Sequence, residues 1–231
     1  MNQIPTVAEL WHTADVLEWH RALERYWSLV KPANLALERE LNSLQLASLR
    51  SLGPTEWYDF LHEKYFRWKY TAANRLATTR ASLRSYMEEN ALEALDRIRQ
   101  RLLALNLEDI RTALAIATTI RGLGTAGASG LLALMYPHAF ATVDQFVVRA
   151  LSEVGDPSIT SAVSSMKPEA LKPEDGIVLV RILRRKAQEN NGTFGSTDWT
   201  PRKIEMILWT YGSSAAPERP RRARHPKPHG L

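Results

Sequence analysis

The sequence predicts an all-α protein. Apolar residues recur at helical spacing along most of its 231 residues, helix-starting and helix-ending residues bound those runs, and no pair of alternating segments reads as two strands. Val7, Leu10, Trp11, Leu17, Leu23 and Trp27 make a first stripe, which Pro32 ends. A second runs from Leu35 to Leu49 and stops at Gly53-Pro54. A third begins near Thr55, a fitting N-cap, and its core face reads Trp57, Leu61, Trp68, Ala72 and Leu76. Leu92, Leu95, Ile98, Leu102 and Leu105 form another.

Asn106 has the chemistry of the next N-cap, with Glu108 and Asp109 in the first turn where the helix dipole favours acids, and that helix is expected to reach about Thr119. The following helix is expected from about Thr125 to just before Pro137, and one more from about Thr142 to Val154, ended by Gly155. Pro173, Glu174 and Asp175 open a helix carrying Val178, Leu179, Ile182 and Leu183 that ends near Asn191-Gly192. Thr200-Pro201 is an N-cap and N1 pair. The last helix follows it with Ile204, Ile207 and Leu208, and Gly212 is expected to end it.

Composition excludes several classes. There is no cysteine, hence no disulfide, no Cys-ligated zinc and no Cys-ligated iron–sulfur cluster. The six His residues show no ligand spacing with a third partner, so no metal site is expected. No apolar run is long enough to span a membrane, and the first residues do not read as a secretory signal, so a cytoplasmic, nucleoid-associated protein is expected. The net charge is +5; the segment 213–231 holds five basic residues and one acid, which is +4 and leaves +1 for the rest. That Pro- and Arg-rich tail is expected to be disordered, either adding salt-sensitive attraction to phosphates or serving only as a solvated end.

The stretch from Ile120 to Leu151 is the most informative. Two helices meet at Gly122-Leu123-Gly124, where glycine permits positive φ and close backbone approach. The second helix starts at once, so its free N–H groups suit a phosphate oxygen. Ala126, Ala128 and Gly130 are small enough for close helix packing. Further on, Val143-Asp144-Gln145-Phe146-Val147-Val148-Arg149 places an acid twenty positions beyond Gly124.

This pattern resembles the helix-hairpin-helix signature of the endonuclease III and MutY type DNA glycosylases, over about 30 residues. The resemblance implies an all-α fold of two helical lobes with a DNA-binding cleft between them. Residues 1–55 and 156–212 would form one lobe, and 56–155 would form the central lobe that carries the hairpin. It implies base excision repair of DNA damage, or action on modified DNA. The enzyme would be a hydrolase that cuts the N-glycosidic bond of a flipped base, with double-stranded DNA as partner and a monomer as the working unit. Arg121, Gly122, Leu123, Gly124, Thr125 and Ala126 would meet the DNA backbone, and the turn carbonyls could hold a monovalent cation. Asp144 would be the catalytic carboxylate, stabilising the positive charge that develops on the sugar. The same position also suits an ordinary helix cap.

The chain departs from the pattern at three places. The position of the hairpin lysine of bifunctional members is Ala126, which points to hydrolysis without strand cleavage. The cluster cysteines are missing. The usual hairpin proline is Arg121, which could touch a phosphate or simply face solvent. Elsewhere, aromatics interleave with basic residues between Glu63 and Arg80, making Tyr65, Lys69 and Asn74 candidates for the base pocket, with Lys69 also a possible substitute Schiff-base amine. His138 precedes the Asp144 segment closely enough to join them. Two alternatives stay open: a DNA-binding module that keeps the hairpin without catalysis, and a helical protein-interaction domain.

Overall fold

The computed structural model describes residues 4–214, and the expected disorder of the tail beyond Ser214 lies outside them. Among the described residues the fold is all-helical. The helices are α1 (Val7–His12), α2 (Val16–Leu29), α3 (Pro32–Asn42), α4 (Leu46–Arg50), α5 (Pro54–Asp59), α6 (Phe66–Lys69) and α7 (Ala73–Glu88). They continue as α8 (Leu92–Leu103), α9 (Ile110–Thr118), α10 (Thr125–Met135), α11 (Gln145–Ser152), α12 (Pro157–Val163), α13 (Pro173–Phe194) and α14 (Pro201–Ser214). A π-helical segment, Phe60–Tyr65, joins α5 to α6 without a break in the chain's winding. No described helix is long and apolar enough to cross a membrane.

Short acceptor side chains start many of these helices by satisfying their first free N–H groups. Thr6 and Glu9 cap α1 reciprocally, and Asp15, Asp109, Asp144 and Asp156 cap α2, α9, α11 and α12. Gly195 ends α13 in the left-handed conformation, three residues after the expected Asn191-Gly192 stop. The buried side chains of both chain ends and of the middle join one hydrophobic cluster. Within it α14 is central, packing on α11, α2 and α13.

Several expectations need correcting. The first apolar stripe is two helices, separated at Thr13–Asp15, and Leu17 faces solvent. The cap of α9 is Asp109 rather than Asn106, which instead closes a preceding turn by accepting from the Glu108 N–H at 3.1 Å. Thr142 does not start α11, because the chain stays extended to Asp144. The stripe running on from Trp68 is broken at Tyr70–Ala72, so Ala72 is exposed and α7 begins afresh.

Gly212 does not stop α14, which continues two residues further. Its role is closeness: a Cβ there would collide with the Phe146 carbonyl of α11. Backbone on backbone leaves no flexible group to move aside. Gly212→Ala is therefore expected to cost about 3 kcal/mol, seen as a lower urea midpoint at unchanged slope; an unaltered midpoint would mean that α11 and α14 separate freely.

Candidate functional site

The two ends of the molecule and its middle meet around a cavity of about 350 Å³. Tyr26 and Glu38 come from α2 and α3, Trp68 and Lys69 from α6, Asp144 and Phe146 from the start of α11, and Arg202, Glu205 and Trp209 from α14. The walls are aromatic, with Trp209 edge-on to both Tyr26 and Phe146.

A buried polar network holds these walls. Arg202, on the first turn of α14, donates to Glu205, to Glu38 Oε1 at 3.0 Å and to Asn42 Oδ1 at 3.2 Å, and its guanidinium lies over the Trp68 ring. Glu38 also accepts from the Tyr26 hydroxyl and from Trp68 Nε1, each at 2.5 Å, and from Asn42 Nδ2 at 2.7 Å. Burial opposes the Arg202 charge. The Glu205 carboxylate, with Tyr26 and Glu38, more than offsets that penalty, so the guanidinium is held above its ordinary value. Burial raises the Glu205 carboxyl; Arg202 pulls it down by less, and the charge of Asp144 adds to the rise.

At the other side of the cavity, Lys69 Nζ lies 3.2 Å from Asp144 Oδ2. Asp144 Oδ1 meanwhile caps α11 through the Phe146 N–H at 3.0 Å. The capping and functional roles are thus divided between the two oxygens of one carboxylate. Lys69 is carried there by the small residues of α10. Tyr65, fully buried, donates its hydroxyl to the Gly127 carbonyl. A Cβ on Gly130 would lie 2.8 Å from that hydroxyl and 3.4 Å from the Lys69 stem. The glycine lets α6 lie against α10 and so sets where the amine ends.

The hairpin forms as the sequence suggests, between α9 and α10. Gly122 has φ +93°, and a Cβ there would also meet the Thr79 carbonyl at 2.8 Å. Gly124 is exposed and open, and precedes the free first N–H groups of α10. Leu123 and Thr125 are buried, and Ala126 brings no amine. Arg121 is engaged with Ser85 at 2.6 Å and Glu89 at 2.7 Å over the Tyr86 ring; the Glu89 carboxylate raises its already high pKa. Tyr70, whose hydroxyl is pushed up to about 12 by burial, donates to the Gly122 carbonyl at 3.3 Å and so ties the hairpin to the end of α6.

Of the residues singled out from sequence, Lys69 and Asp144 come together, although 75 positions separate them. Residues 121–126 do not line the cavity. Tyr65 packs beneath it. Asn74 is exposed at the start of α7, and His138 is exposed beside Arg184 and Glu108 in a separate cavity. No cluster of His, Cys, Asp or Glu suited to a metal is found among the described residues. Sequence reasoning passed over Glu38, Arg202 and Glu205. Their signal was a charge on an otherwise apolar face: Glu38 between Leu37 and Leu41, and Glu205 between Ile204 and Leu208.

The two charged groups of the cavity differ in their expected mutational cost. Arg202→Met strands buried acids and is expected to cost about 3–5 kcal/mol, whereas Lys69→Met leaves Asp144 its cap and cavity access and should cost about 1 kcal/mol. Urea unfolding of both variants checks the contrast, and equal losses would contradict it.

No protein-family model, curated protein or solved structure matches this chain.

Proposed function

We propose that the chain is a DNA N-glycosylase that draws a base from the duplex into the aromatic cavity and cuts its glycosidic bond beside Asp144. The observation that carries this reading is the Lys69–Asp144 pair at the edge of a ring-lined cavity, in a chain whose hairpin opens the helix against which Lys69 is packed. Aromatic walls suit an extruded base. The free Asp144 oxygen can stabilise positive charge on the sugar as the C1′–N bond lengthens. Water then bonds to C1′, its proton passes to a nearby base, and the released nucleobase takes up a proton on nitrogen. In keeping with a two-lobed enzyme, the lining comes partly from residues 26–38 and 202–209 and partly from residues 68–71 and 142–146. On this reading the cleft between lobes 1–55 with 156–212 and 56–155 is where DNA lies, with Gly124 and the start of α10 against the backbone.

A second reading concerns strand cleavage, and the position of Lys69 favours it. Ala126 argues for hydrolysis by water alone, yet an amine stands beside Asp144 from another helix. With its proton passed to a neighbouring base, Lys69 could attack C1′ directly and displace the base. The sugar ring would open to a protonated imine, and loss of the 3′ phosphate by β-elimination would nick the strand.

Duplexes bearing a range of damaged and modified bases, incubated with the protein and analysed with and without alkali, test both readings. Wild type is expected to release a base from at least one duplex, and Asp144→Asn to lose about 100-fold or more in rate while binding the duplex normally. Nicking without alkali, borohydride trapping, and loss of both in Lys69→Gln would establish the second reading. Normal duplex binding with no release on any substrate would point to a non-catalytic binding module; no binding even at low salt would point to a protein-interaction domain.

A further inference from the structure

Two polar groups in the aromatic cavity are left unused by the protein. Thr142 is 2% exposed and lines the cavity, and its Oγ1 has no hydrogen-bond partner among the described residues. Glu205 is 3% exposed and lines the same cavity. Its Oε2 is taken by Arg202, while no donor among the described residues engages its Oε1. Glu38 differs: Oε1 already receives Tyr26, Asn42 and Arg202, and Oε2 receives Trp68, so it has little left to offer a ligand.

A buried hydroxyl and a buried carboxylate oxygen without partners are costly unless something supplies hydrogen bonds. The occupant must be flat enough for walls made of Trp68, Phe146 and Trp209, and it must carry N–H donors. A carboxylate oxygen accepts well from an exocyclic amino group and badly faces a carbonyl. We propose that this cavity selects heteroaromatic rings with an exocyclic amino group, adenine- or cytosine-like, with the amino N–H donating to Glu205 and the Thr142 hydroxyl paired to the same edge. Thymine- and uracil-like rings would set a carbonyl oxygen against Glu205 and leave the donor sites empty. That the ring belongs to a nucleotide rests on the glycosylase reading; the preference for an amino edge does not.

The test is binding of 9-methyladenine, 1-methylcytosine, 1-methyluracil and 1-methylthymine to the full chain by ligand-observed NMR, the methyl group standing where the sugar would be. The two amino-bearing rings are expected to bind at least about tenfold more tightly than the other two. Thr142→Val is expected to weaken their binding while keeping or raising stability, because the lost hydroxyl had no partner. Glu205→Gln is expected to narrow the preference. Equal binding of all four rings, binding of none, or full binding by Thr142→Val would overturn the proposal. Selective binding together with no base release from any duplex would leave the amino-edge preference standing and remove the glycosylase reading instead.

Discussion

A buried guanidinium organises this molecule. Arg202 is 4% exposed, and a cation so far from water is tolerable only when its donors are met. Its partners stand on three other helices besides its own: Glu38 and Asn42 on α3, Trp68 on α6, and, through Glu38, Tyr26 on α2. Meeting those bonds fixes the start of α14 against all three at once. Buried ion pairs are poor sources of net stability, since desolvation consumes most of the attraction. What the network contributes is geometry. It leaves one arrangement of α2, α3, α6 and α14 in which no charge is stranded, and the cavity is the space that arrangement encloses.

The opposite wall is positioned by absence of side chains. Gly127 and Gly130 strip one face of α10 so that α6 can lie against it, and Gly212 does the same where α14 crosses α11. The first contact sets the height of Lys69; the second sets that of Asp144, whose helix is α11. The amine and the acid therefore meet through packing at three glycines and not through any local motif. This is why their 3.2 Å separation could not be read from the chain, even though each residue could be nominated alone.

What was legible was punctuation and period. Thr200-Pro201, Pro173, the span of α10 and the acid before α11 all follow from capping chemistry and apolar spacing. What was not legible has three physical sources. The break at Tyr70–Ala72 involves neither glycine nor proline, so nothing local announces it. Gly212 carries the same symbol whether it ends a helix or admits a neighbour, and only the Phe146 carbonyl decides. Charged residues on helices are usually solvated, so Glu38, Arg202 and Glu205 passed for surface until their partners on distant helices were known.

The π-helical segment Phe60–Tyr65 has a consequence for how such a site changes over generations. A π turn accommodates an added residue within an otherwise continuous helix. Each residue of an α-helix advances the azimuth by about 100°. Removing one residue from this stretch would rotate everything downstream by that amount relative to α5, swinging Trp68 and Lys69 out of phase with Asp144 while the buried face of α5 kept its place. Single-residue insertion or deletion there, rather than substitution, is thus the simplest genetic step by which this scaffold could acquire or discard its amine.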